Sequence, residues 1–116
     1  MLRGSLSLNF TLPPDDLFQV ALKSLTGYPS WTVRRINRSA RVVVAQTQRR
    51  PPLNFGRIVK IQVTETDASS QPFQSVCTVS SHPAFWITAV LASSSEIEQD
   101  VFHLMNTVVE LASRRR

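Results

Sequence analysis

The sequence is poor in the residues that most often announce a chemistry: a single cysteine, three glycines and two histidines. Each shortage removes a class of protein. One thiol makes no internal disulfide, so a small disulfide-stapled scaffold is excluded. Gly4, Gly27 and Gly56 stand far apart, so neither a dinucleotide-binding fingerprint nor a phosphate loop can be written through them. His82, His103 and Cys77 show no metal-ligand spacing to one another, and no metal or cofactor is expected. Long apolar runs are missing as well. The longest, 84–92, is interrupted by Thr88, whereas a membrane-spanning helix needs ~20 apolar residues. Near the start, apolar residues alternate with Ser and Asn, so no secretory segment forms and the cytoplasm is the default compartment.

Charge of one sign is missing from whole stretches. Between Asp16 and Glu65 there is no acid, and from Ile61 to Ser113 there is no Lys or Arg. The formal net charge is +5, and a basic tail closes the chain at 113–116. Such segregation suits a partner of opposite sign: nucleic acid, anionic lipid, or the acidic half of a second copy. A bias toward Arg over Lys fits a compositional origin equally well.

What is present is enough for one folded unit. At 116 residues, 42% hydrophobic and 18% charged, the chain is a single domain over 1–116 with enough apolar surface for a core. Leu6, Leu8, Phe10 and Leu12 alternate with polar residues, predicting a strand over 5–12 with one buried face. Pro13-Pro14 ends it, and Asp15 and Asp16 offer capping oxygens for a helix. Leu17, Phe18, Ala21, Leu22 and Leu25 recur at helical steps, with Gly27 as a left-handed stop. Runs at 31–36 and 41–48 flank a hairpin loop, and strands follow at 57–66 and 73–80. His82-Pro83 suggests a bend, and 84–92 is a last buried strand or an apolar flap. Ser95 and Glu98 form a capping box ahead of the stripe Ile97, Val101, Leu104, Val108, Leu111. The expected fold is therefore a two-layer α+β sandwich, order β-α-β-β-β-β-(β)-α. It has four to six antiparallel strands, with two helices on one face.

A catalytic constellation does not emerge. Cys77 lies on the strand face with Phe73 and Val79, as core residues do, with His82 beyond the strand's end. Asp15/Asp16 and Glu96/Glu98/Asp100 sit at helix starts, where the dipole accounts for them. The expectation is a protein that is not an enzyme. For an anion-binding surface the candidates are Arg34, Arg35, Arg38, Arg41, Arg49, Arg50, Arg57 and Lys60. With Trp31, Val33, Val59, Ile61 and Val63 facing the helices, an open face of Thr32, Arg34, Ile36, Lys60, Gln62 and Thr64 suits phosphate contacts. That face has no aromatic platforms for stacking bases. A merely solvated face, or one covered by a second subunit, is the plainer alternative. The patch Phe85-Trp86-Ile87 reads as a core strand, a dimer contact or the wall of an apolar pocket.

An opening strand, the Pro13-Pro14-Asp15-Asp16 helix start, a meander from Ser30-Trp31-Thr32-Val33 and a C-terminal helix from Ser95 together resemble small helix-grip proteins. These are relatives of the START and polyketide-cyclase-like superfamily, including short bacterial families of unknown function. The resemblance implies a sheet curled around the last helix, often enclosing an apolar cavity, which the shortness of this chain would make small or absent. The expected function is a non-catalytic binding domain, homodimeric, taking a protein partner or a small apolar ligand. A pocket would lie between the sheet and the C-terminal helix, lined by Phe85, Trp86, Phe102 and Met105. The alternative is electrostatic nucleic-acid binding.

Overall fold

The structure is a computed structural model that describes residues 4–28, 31–47, 56–66, 72–83 and 94–114. In chain order the elements are β1 (Gly4–Phe10), α1 (Pro14–Leu25), β2 (Thr32–Asn37), β3 (Val42–Gln46), β4 (Arg57–Glu65), β5 (Ser75–Pro83) and α2 (Ser94–Ser113). The strands make one antiparallel sheet in the order β1-β5-β4-β3-β2. Both helices lie on one face, α1 over β4 and β5, α2 over β1 and β5, and the helices touch each other. This is the expected α+β sandwich. The optional strand at 84–92 lies outside the described residues.

Alternation builds the core. Val43 and Ala45 of β3, Val59, Ile61 and Val63 of β4, and Cys77 and Val79 of β5 are buried on the helix side. Leu17, Phe18, Ala21 and Leu25 of α1 close over them, with Val101, Leu104, Met105 and Val108 of α2. The α1–β2 connection is held by a ring stack of Tyr28 on Trp31, centroids 4.4 Å apart. The Tyr28 hydroxyl also lies 3.0 Å from Oγ1 of Thr107 on α2.

Several local expectations are corrected. Pro13, not an aspartate, occupies the α1 N-cap, and Asp15 and Asp16 fall in the first turn, where they face the helix dipole without capping it. Gly27 is not left-handed. Instead α1 unwinds through tight turns, in which the N–H groups of Thr26, Gly27 and Tyr28 donate to the carbonyls of Lys23, Ser24 and Leu25. β5 does not bend at His82-Pro83: both residues pair with β4, opposite Ile58 and Arg57. The ladder aims the backbone groups of odd-numbered β5 residues at β1, so the missing N–H of Pro83 removes no bond to β4. A bulge between Val33 and Arg35 shifts the register of β2, so Ile36 pairs with Val43 on the helix side rather than lying on the open face.

Candidate functional site

Three surface features stand out among the described residues. The first is the seam between edge strand β1 and α2. Near its far end, Leu8, Phe10, Leu12, Phe73, Val109 and Ala112 wall an apolar cleft of about 290 Å³. Toward the start of both elements the seam opens into a groove of about 440 Å³ lined by Gly4, Leu6, Glu98, Val101 and Phe102. Gly4 makes the close approach possible, because a Cβ there would stand 2.9 Å from Cγ2 of Ile97. Leu8, Phe73, Phe102 and Val109 all remain exposed along this seam.

Phe102 and Met105, both expected in a pocket lining, part company. Met105 is 2% exposed in the core, whereas Phe102 is 54% exposed beside β1. Phe85 and Trp86 lie outside the described residues. Leu8, Phe73 and Val109 were absent from the expected lining. Val109 could have been found from sequence, since it is an apolar residue off the α2 core stripe.

The second surface is the open face of the sheet. Its centre is a shallow dish of about 440 Å³ lined by Ser5, Val44, Ile58, Lys60, Gln62, Thr78, Ser80 and His82. Lys60, Gln62 and Thr64 lie on this face as expected, and Ser7 Oγ and Thr78 Oγ1 hydrogen-bond across it at 2.8 Å. Of the eight expected basic residues, six are described, and among these only Lys60 lines the dish. Arg41 pairs with Asp15 at 2.8 Å and reaches Glu65 at 3.9 Å. Arg57 turns to the helix side and pairs with Asp100. Arg34, Arg35 and Arg38 are exposed on edge strand β2 and its turn. Arg49 and Arg50 lie outside the described residues.

The third is a polar cluster at the end of the sheet where β4 begins and β5 finishes. Asp100 accepts from Nε of Arg57, and its second oxygen accepts from Nη2 at 3.2 Å. Ser81 Oγ donates to the same carboxylate at 3.3 Å. Next to it, the Arg57 N–H donates to Thr47 Oγ1 at 2.8 Å. Asp100 gives no local sign of this role, because its partner lies 43 residues away in the chain.

Chemistry at the titratable groups is limited. Burial pushes the Cys77 thiol up to about 12, far from the thiolate a nucleophile requires. Among the described residues no three His, Cys, Asp or Glu side chains gather as a metal site, and no helix is long and apolar enough to cross a membrane.

No protein-family model and no curated protein matches the sequence. Solved structures do match the fold. The protein XoxI from Bacillus cereus aligns with a TM-score of 0.64 at 13% identity, over 99% of this chain and 95% of its own. An uncharacterised protein from Bacillus thuringiensis aligns at 0.62 and 13% identity, over 97% of each chain. Ara h 8.0201, of the Bet v1-like helix-grip fold, aligns at 0.57 with 9% identity, over 95% of this chain and 93% of its own. At such identities the likeness is one of fold. That likeness of fold covers nearly the whole chain.

Proposed function

We propose that this is a non-catalytic binding domain that takes a protein partner or a small apolar ligand along the seam of β1 and α2 and acts as a homodimer. The observation that carries the reading is the apolar cleft at one end of that seam, together with Leu8, Phe73, Phe102 and Val109 left exposed on a small domain. Phe85 and Trp86 are kept as ligand-contact candidates from the sequence alone, whereas Met105 belongs to the core. The non-catalytic part rests on the chemistry of particular groups: a buried, protonated Cys77, and Asp15 and Asp100 engaged in ion pairs. Its cellular setting is taken as the cytoplasm of a bacterium. Native mass spectrometry tests the reading. A retained small molecule, or a mass of twice 13.0 kDa, supports it, and a bare monomer overturns both the homodimer and the retained ligand.

A second reading is favoured by one feature. Arg34, Arg35 and Arg38 are exposed within a single hairpin and make no ion pair among the described residues. With Arg49, Arg50 and Lys60 they would bind nucleic acid electrostatically, and affinity would then fall with salt at a log–log slope of about −0.9 per phosphate neutralised. Absence of binding at low salt removes this alternative.

A further inference from the structure

The two edges of the sheet are built differently. At one edge, β2 carries a bulge and the exposed charges of Arg34 and Arg35, devices that prevent strands from adding on. At the other edge, β1 has none of them. Its seven residues, Gly4–Phe10, include no charge and no proline, and they pair with β5 in unbroken register from Gly4↔Ser81 to Phe10↔Ser75. Among the described residues, no strand lies on its outer side and no residue pairs there.

The ladder fixes which backbone groups face outward. Val63 N–H donates to the Arg41 carbonyl at 2.9 Å, and Thr66 N–H donates to the Gln74 carbonyl at 3.2 Å. These bonds set the alternation through β4 and β5. Even-numbered residues of β1 consequently bond to β5, and Ser5, Ser7 and Asn9 direct N–H and C=O away from the sheet.

We infer that β1 pairs with β1 of a second copy of this chain, antiparallel about a two-fold axis at Ser7. This names the partner in the binding reading above and rests on it. In that register Ser7 faces Ser7 of the second copy, and Ser5 faces Asn9 of the second copy. These narrow pairs supply about six backbone hydrogen bonds. The side chains match as well. On the helix side Leu6 meets Leu8 of the second copy, and Gly4 lies opposite its Phe10, so an aromatic ring covers the glycine. Because paired residues share a face, both copies of α2 come to the same side, bringing exposed Phe102 and Val109 toward the axis. Electrostatics selects the same edge. Two molecules of net charge +5 repel, and the uncharged β1 lets them approach without opposing arginines.

The test is light scattering with native mass spectrometry on the full chain and three variants. Ser7→Pro removes an outward N–H that β5 does not use, so the sheet persists while pairing is lost. The mass should fall from twice 13.0 kDa to 13.0 kDa. Ser7→Cys provides a reading independent of proline. Narrow-pair Cα atoms stand about 5.5 Å apart, within disulfide range, so mild oxidation should link two chains. Ser5→Cys should not link, because the two Ser5 positions would be about four residues apart along the strands, roughly 13 Å. Buried Cys77 does not compete. A wild-type monomer overturns the inference, and if that monomer carries a small molecule the binding reading survives alone. A dimer that survives Ser7→Pro and is not linked through Ser7→Cys overturns this interface while leaving the homodimer.

Discussion

Arg57 and Asp100 form a two-point clasp that joins the start of β4 to the first half of α2. Both nitrogens that Arg57 directs at the carboxylate, Nε and Nη2, find an oxygen there, and Ser81 of β5 adds a third donor. The side chains are only 18% and 9% exposed. A charge that buried is tolerable because its partner is held in place. Removing one member leaves the other desolvated and unpaired. Asp100→Ala should therefore lower unfolding free energy by about 3–5 kcal/mol, whereas the paired replacement Arg57→Met with Asp100→Leu should recover much of the loss. Urea unfolding of the singles and the double measures the coupling. Additive losses would mean that the pair is not a clasp.

The contrast between that clasp and the elements around it shows what kind of information a sequence carries. Period-two alternation in β1 and β4 and the apolar stripe of α2 are local signals, so Val59, Ile61, Val63, Leu104 and Val108 could be assigned to the core directly. Ile36 was not legible, since one bulged residue reverses the face of everything after it and leaves no mark in the alternation. Asp100 looked like one more acid at a helix start, because its role depends on a strand that folding alone brings near. Of the large apolar residues exposed along the seam, Phe102 is one the sequence singles out, and Leu8, Phe73 and Val109 are not. The alternation in β1 marks Leu8 as a buried strand position, and the place of β1 at the sheet's edge leaves it exposed.

Gly4 is a second case of long-range demand. Its backbone is not in the left-handed region, so its need for glycine is purely spatial: Cγ2 of Ile97 stands where a Cβ would crowd it. That methyl sits on a branched carbon with little freedom. Gly4→Ala should cost about 1–2 kcal/mol by overpacking. In an Ile97→Ala background the same change should cost close to nothing. Equal costs in both backgrounds, measured by thermal or urea unfolding, would show that Ile97 is not the obstacle.

Arg41 adopts φ of 54° after the β2–β3 turn, a conformation that suits glycine. Its guanidinium compensates in part by reaching Asp15 of α1, but that carboxylate is 85% exposed, so the pair contributes little. The two terms separate by substitution. Arg41→Ala keeps the backbone cost and loses the pair, whereas Arg41→Gly loses the pair and relieves the backbone. The glycine variant should exceed the alanine variant in stability by about 1 kcal/mol. The reverse order in urea midpoints would assign the weight to side-chain contacts.

Cys77 is fully buried on β5 among Val63, Val79 and the α2 stripe, and burial raises its thiol from 9.0 to about 12. The sign of the resulting pH dependence follows from proton counting. Between these two values the unfolded chain has lost the thiol proton and the folded chain still holds it, so the folded state binds more protons and stability falls as pH rises. Below 9 the term is constant. Above it, the loss approaches about 1.4 kcal/mol per pH unit. Tyrosine and lysine titrate in the same range, so the measurement is the difference between wild type and Cys77→Ala. The alanine variant should begin less stable at neutral pH, because it leaves a small void, and should then show the flatter alkaline limb. The same burial predicts that a thiol reagent labels the native protein only as fast as the core opens. Parallel alkaline limbs together with rapid labelling would mean that the strand holding Cys77 opens locally, and the barrier to labelling would then belong to β5 rather than to the whole fold.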